Sequence, residues 1–187
     1  MSPFIKQPIN TIEDTDVTAS ITPQTKKRSV QLPVSGDEEE WGVAKEIEKG
    51  TYTIRVGNDA AMGTPQEVFN ALNAYRATNG KSSLSWDDNL ARYAQSRAEY
   101  MSSIKTTDQH AGFNYYLEND DGFNRLGFYQ LGENSYYGGP LTGTHLIEWV
   151  FAKSPGHDAN QKSSDWTHVG VGVSGSAVNL NFGGSKM

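Results

Sequence analysis

Residues 149–160 read Trp149-Val-Phe-Ala-Lys-Ser-Pro-Gly-His157-Asp-Ala-Asn160, and this stretch says more about the fold than any other. It predicts that a helix carrying Trp149 ends at Ser154 and that a second, short helix begins at Pro155, because serine caps helices and proline suits their first turn. His157 then lies in that first turn, where the partial positive charge of the helix end disfavours imidazolium. A neutral imidazole held there is a potential metal ligand or proton acceptor.

Three further motifs accompany this stretch: Thr107-Asp-Gln-His110-Ala-Gly112, Leu131-Gly-Glu133-Asn134 and Trp166-Thr-His-Val-Gly-Val-Gly-Val173. In this order and spacing the four motifs resemble the CAP superfamily, named for its cysteine-rich secretory, antigen-five and pathogenesis-related members. The bacterial SCP-like branch is the most similar, since it shows Gly-Glu-Asn and Ser-Pro-Gly-His steps. The resemblance covers about residues 64–183. It implies an α+β fold, an α-β-α sandwich whose small, mostly antiparallel sheet is flanked by helices, with a cleft lined by histidines and acids.

The composition of the chain limits the partners and the location that we expect for the protein. The 187 residues carry a net charge of −6 with no basic face, so we expect no nucleic-acid partner. No apolar run is long enough to span a bilayer, and we expect no transmembrane segment. The chain has no cysteine, which favours the bacterial branch over the disulfide-rich eukaryotic one. The family resemblance implies a secreted or cell-surface protein, with the targeting segment expected to be absent from this chain.

Three parts follow one another along the chain. Residues 1–40 are polar and aperiodic, which predicts a flexible tail. Residues 41–60 form a short N-terminal arm, with a helical or turn segment around residues 43–48 and then a β-branched, alternating strand over residues 51–56. The sequence does not decide whether this arm packs on the domain or belongs to a neighbouring module. Residues 61–187 form the CAP/SCP-like domain.

The domain itself shows clear periodicity. A capping box at Thr64 begins a helix that ends at Asn79, and a second helix begins near Asp87. The second helix is expected to bury Leu90, Ala94, Ala98 and Met101. Residues 105–130 are expected to be irregular, with a short strand near residues 127–131. A third helix over about residues 144–153 is expected to bury Leu146, Trp149 and Val150. Two strands, joined by a hairpin turn at residues 174–176, complete the domain, the first with valines on one face and glycines on the other.

The candidate cleft residues are His110, Glu133, Asn134, His157 and Glu148. Each has a structural alternative: His110 as a solvated loop residue, Glu133 as a carboxylate that locks a turn, and His157 as a capping or packing residue. Animal and plant members of the superfamily often carry a second cleft glutamate at the position that is Ala152 here. Glu148 lies one helical turn earlier, so it is either a partial substitute or a solvent-exposed residue.

Two functions remain open from the sequence. The first is an exported, monomeric binding or interaction module whose cleft takes a small ligand, a lipid or a partner segment. The second is a metal-assisted, peptidase-like hydrolase in which His110 and His157 hold Zn²⁺ and Glu133 activates a water. Two histidines fall short of the three protein ligands usual for catalytic zinc. No serine-hydrolase elbow and no His-Glu-x-x-His motif is present. We therefore expect the binding module.

Overall fold

A computed structural model describes residues 4–6 and 40–187 of the chain. Its strands are β1 (Phe4–Lys6), β2 (Ala44–Glu48), β3 (Thr51–Ile54), β4 (Ser85–Trp86), β5 (Phe128–Tyr137), β6 (His168–Ser174) and β7 (Ala177–Lys186). Its α-helices are α1 (Pro65–Thr78), α2 (Asp88–Ile104), α3 (Ala111–Asn119), α4 (Gly122–Leu126), α5 (Gly143–His145) and α6 (Pro155–Lys162). A π-helical turn (Leu146–Val150) and a 3₁₀ turn (Phe151–Lys153) connect α5 to α6.

The strands form one sheet in the order β2-β3-β1-β5-β7-β6-β4. Its centre is antiparallel, because β7 pairs with β5 on one side and with β6 on the other. β1 runs parallel to both β3 and β5, and β4 runs parallel to β6. The predicted hairpin at residues 174–176 is confirmed: Ser174 pairs with Ala177, and Gly175 has a positive φ of 54°.

Helices cover both faces of this sheet because β6 alternates between valine and glycine. Val169 and Val171 enter the main core, which includes Val68 and Leu72 of α1 together with the buried residues of the turns before α6. On the opposite face α2 lies directly on the glycines. A Cβ added at Gly172 would lie 2.2 Å from the backbone nitrogen of Gln95. The result is the α-β-α sandwich that the sequence predicts.

The first two helices form where their capping signals predict. The Thr64 side chain accepts from the Glu67 amide, the Glu67 carboxylate accepts from the Thr64 amide, and α1 begins at Pro65. Asp87 caps α2 by accepting from the amides of the next turn. The buried stripe of α2 contains the predicted residues and one that the apolar pattern did not include, Arg97: Leu90, Ala94, Arg97, Ala98 and Met101.

The prediction of a continuous third helix that buries Trp149 is wrong. The helical turns first widen, from α5 into the π turn, and then tighten in the 3₁₀ turn. Hydrogen bonds in a π turn span five residues, so a residue three positions on, such as Trp149 after Leu146, no longer shares a face with the first. Leu146, Val150 and Phe151 are buried, whereas Trp149 is 41% exposed and stacks on His145 at a ring-centroid distance of 3.4 Å. Phe151 takes the buried aromatic position.

Three other expectations change as well. Residues 43–48 contain strand β2 rather than a helix or turn, and residues 105–130 contain α3 and α4. The strand expected near residues 127–131 continues to residue 137, so Glu133 and Asn134 lie inside β5 rather than in a turn.

The tail predicted over residues 1–40 lies outside the described residues, apart from β1 and residue 40. In the described part of the chain, no helix is both long and apolar enough to cross a membrane.

Candidate functional site

Glu133 is the centre of a buried polar cluster that joins helix, loop and sheet. Its side chain is fully buried on β5. Oε1 accepts from Arg97 Nε at 2.9 Å and from Asn179 Nδ2 at 2.7 Å, and Oε2 lies 2.6 Å from His110 Nδ1. α2 thus supplies the cation, β7 supplies an amide and the loop before α3 supplies an imidazole. Both carboxylate oxygens are engaged within the protein.

A second carboxylate completes the pairing of Arg97. The guanidinium NH1 and NH2 groups donate to Asp108 Oδ2 at 2.8 Å and Oδ1 at 2.6 Å, which is a bidentate pair. Asp108 also accepts from the Gly112 amide at 2.9 Å. These bonds hold the loop that carries His110, whose own backbone has a positive φ of 64°. Arg97 therefore positions both Glu133 and the His110 loop.

The charge states of this cluster follow from its surroundings. Burial acts to raise the pKa of Glu133, but His110 and Arg97 outweigh it and lower that pKa to about 2. Burial lowers the pKa of His110 against the opposing pull of Glu133. His110 is then neutral at pH 7, and Arg97 is the charge that keeps Glu133 ionised. Because a carboxylate only accepts, His110 donates from Nδ1, and its Nε2 carries the lone pair.

His157 is fully buried, as its packing alternative expects. Its ring packs against Phe151 at a centroid distance of 4.9 Å and against Tyr52 of β3 at 6.2 Å. Its Nδ1 contacts the Ser154 hydroxyl. The expected Ser154 cap on the α6 backbone is absent, because the Ser154 hydroxyl contacts this ring instead.

The two imidazoles interact electrostatically. Burial lowers the pKa of His157 well below its usual value, and the charge of protonated His110 would lower it further. His157 Nε2 is buried and has no hydrogen-bond partner among the residues that the structure describes. Asn134 fixes the position of α6, since its Nδ2 donates to the His157 carbonyl at 3.2 Å. The site therefore combines two buried, neutral imidazoles with the ionic network of Arg97, Glu133 and Asp108.

Four of the five predicted cleft residues are buried together in this region: His110, Glu133, Asn134 and His157. Glu148 is different. It is exposed on the π turn, near Tyr75 of α1, so the structure favours its solvent-exposed alternative. Sequence reasoning missed Arg97, Asp108, Asn179 and Tyr52. Arg97 could have been found, because it lies seven residues after Leu90 on a stripe that is otherwise apolar.

The donor set limits what metal this site can hold. Across residues 4–6 and 40–187, no group of three or more His, Cys, Asp or Glu side chains is placed to bind a metal ion. Both oxygens of the Glu133 carboxylate already accept hydrogen bonds, so the candidate metal ligands are the two imidazoles of His110 and His157. Catalytic zinc usually has three protein ligands, so the described residues do not fit such a centre.

Comparison with known proteins agrees with this architecture. Residues 69–182 match the model of the cysteine-rich secretory protein family, CAP. The chain belongs to this family. The CAP match includes α2, the His110 loop, β5 and α6, and it excludes the arm that carries Tyr52. A search of curated proteins finds no significant match.

Solved structures share the CAP fold at low sequence identity. An extracellular protein containing an SCP domain from Bacillus anthracis is 22% identical with a TM-score of 0.52, over 64% of this chain and 40% of that one. A cysteine-rich secretory protein from Staphylococcus aureus is 16% identical with a TM-score of 0.53, over 65% and 38%. An outer surface protein from Borrelia burgdorferi is 15% identical with a TM-score of 0.52, over 65% and 92%. The match thus spans less than half the length of the first two proteins.

Proposed function

We propose that this CAP domain is a non-catalytic binding or interaction module whose histidine-lined cleft takes a small ligand, a lipid or a partner segment. The observation that carries the proposal is the state of Glu133. A general base needs an oxygen within reach of the proton that it removes. Both Glu133 oxygens are engaged by Arg97, Asn179 and His110 in full burial, and a pKa of about 2 makes this carboxylate a weak base at neutral pH.

The hydrolase alternative requires Glu133 to activate a water, and the geometry of its carboxylate counts against that role. The histidines are better suited to binding. His110 and His157 are held neutral, so their Nε2 atoms can serve a hydrogen-bonding group or coordinate a divalent ion. Tyr52, Phe113 and Phe151 pack on the imidazole rings and would supply apolar walls. By likeness to the extracellular and outer-surface proteins above, we propose that the chain acts outside the cell. The monomeric state stays a prediction from the sequence.

Zinc is a convenient probe of the two imidazoles. We expect modest, reversible Zn²⁺ binding near pH 7.5, because two ligands are fewer than a structural or catalytic site uses. Binding should weaken below about pH 6 as the imidazoles protonate. Titration calorimetry would compare the wild type, His110→Ala/His157→Ala and the matched control His145→Ala/His168→Ala. The proposal of a metal-binding imidazole pair fails if the first double variant binds as well as the wild type, or if the wild type does not bind.

Hydrolysis is tested separately with the same proteins. The proposal expects no activity on peptide or ester substrates above the background of the His110→Ala/His157→Ala variant, with or without added zinc. Turnover that requires both histidines would favour the hydrolase and overturn the non-catalytic assignment.

A further inference from the structure

A part of the chain that the CAP match does not include packs beside the histidine pair. The arm, residues 41–60, contains the β2–β3 hairpin and precedes the matched region, residues 69–182. His110 is 7% exposed and His157 is fully buried. A ligand cleft needs access for its ligand, so the identity of whatever encloses these rings determines when the site can be used.

The arm contacts His157 directly, and it contacts the residue that precedes His110. Tyr52 presents its ring to His157 at a centroid distance of 6.2 Å and an interplanar angle of 60°. The Glu48 side chain accepts from the Gln109 side chain, and Gln109 immediately precedes His110. These two contacts come from residues on either side of the hairpin turn, so the tip of the arm bridges the two segments that carry the imidazoles.

The register of the sheet places the tip level with Glu133, with β1 between the arm and β5. Through β1, Thr51 of the arm is level with Ser135 of β5, and the strands run in the same direction. The residues just before Thr51 are therefore level with Glu133 and Asn134. Backbone pairing and side-chain contacts thus agree on where the tip lies.

The tip is held less firmly than the root. At the root, Ile54 and Val56 are buried in the main core, and Tyr52, which is 9% exposed, also belongs to that core. At the tip, the β2–β3 ladder has a register shift between Glu46 and Glu48, and the Glu48–Gln109 contact is exposed. Short, irregular and solvent-exposed contacts open more easily than core contacts. Movement of residues 48–50 can therefore occur without loss of the core, and movement of Tyr52 withdraws only that ring from it.

We propose that the arm is an intramolecular cover of the histidine pair, and that displacement of its tip, at residues 48–52, gives a ligand access to His110 and His157. The proposal rests on the proposed function for what the site does, but not for whether the site is covered. It assigns a regulatory role to a segment that lies outside the CAP match. An interaction that holds the tip in place keeps ligands away from the two imidazoles.

The test measures access directly, by acylation of each histidine with diethyl pyrocarbonate, followed by peptide mass spectrometry. A neutral imidazole nitrogen attacks the carbonyl carbon of the reagent and displaces its carbonate half, and His145 and His168, both partly exposed, serve as internal references. In the wild type we expect His110 and His157 to react more slowly than both references. Gln109→Ala removes the tip contact and should raise both slow rates about three- to tenfold, the effect of losing roughly one hydrogen bond. The references should not change.

Two controls make the outcome decisive. Gln66→Ala removes a comparable exposed side-chain bond, to Asn70 on α1, and should change no rate. Tyr52→Ala should accelerate His157 more than His110, provided that its urea midpoint shows it folded. If Tyr52→Ala is unfolded, hydrogen exchange decides, and Gln109→Ala must speed exchange of the amides at residues 48–52 while leaving α2 unchanged.

Fast acylation of the buried pair in the wild type, or unchanged rates and unchanged exchange in Gln109→Ala, would overturn the cover. The same samples are then titrated with Zn²⁺. Faster acylation without any zinc binding leaves the cover standing and counts against the metal-binding imidazole pair. Zinc binding with unchanged acylation does the reverse.

Discussion

Replacing Arg97 with methionine tests whether the ionic cluster holds the site together. Methionine keeps most of the apolar stem but removes the guanidinium, which leaves Glu133 fully buried without its cation and Asp108 without its bidentate partner. Removing one member of a buried ion pair typically costs about 3–5 kcal/mol. With a urea m-value of about 2 kcal/mol per M, the unfolding midpoint should fall by about 2 M.

Urea denaturation of a double-mutant cycle checks the reasoning. Glu133→Gln removes the charge that Arg97→Met strands, so the double variant should lose less stability than the two single losses added together. Glu133 and Arg97 would then show a coupling of about 1–3 kcal/mol. The pairing argument is refuted if Arg97→Met costs less than about 1 kcal/mol, or if the cycle is additive to within about 0.5 kcal/mol.

Two further predictions concern the aromatic and imidazole groups. Trp149→Ala should lower the free energy of unfolding by only about 1 kcal/mol, the value of its stack on His145. Phe151→Ala should lower it by about 3–5 kcal/mol because Phe151 is buried. Urea midpoints compare the two variants directly, and equal losses would contradict the assignment of Phe151 as the buried aromatic residue. Because burial lowers the folded-state pKa of His157 below 6.5, its contribution to stability is complete above about pH 6.5 and declines as the pH falls toward 5. The urea midpoint should therefore drop over that range in the wild type and drop less in His157→Gln, and parallel pH profiles would count against a buried neutral imidazole.

The elements that the sequence predicted well are those with local signals. The Thr64 capping box, the Asp87 cap, the apolar stripe of α2 and the valine–glycine alternation of β6 each depend on neighbouring residues, and each is found where it was expected. The failure at Trp149 has a different origin. A π turn inserts one extra residue into the helical repeat, and the sequence pattern gives no sign of where that happens, so a periodicity argument assigned the wrong aromatic residue to the core.

The candidate site divides in the same way. The family resemblance predicted that His110, Glu133, Asn134 and His157 lie in one region, because their motifs are short and distinctive. Their roles depended on partners that no local pattern reveals. Arg97 is 36 positions from Glu133 in the sequence, and Tyr52 reaches His157 only because β3 joins the same sheet. Burial of His157 and saturation of Glu133 are consequences of that long-range packing.

The glycine face of β6 also limits how the cleft can be redesigned. A methyl group at Gly170 or Gly172 would meet the α2 backbone at 2.0 Å or 2.2 Å, so any side chain there would force the helix outward. Arg97 is carried on that helix, two residues beyond the contact at Gln95. Pushing the helix away would draw the guanidinium from Glu133 and release the loop that carries His110. Substitutions that widen the cleft therefore cannot be made between α2 and the sheet, and they have to be made in the arm.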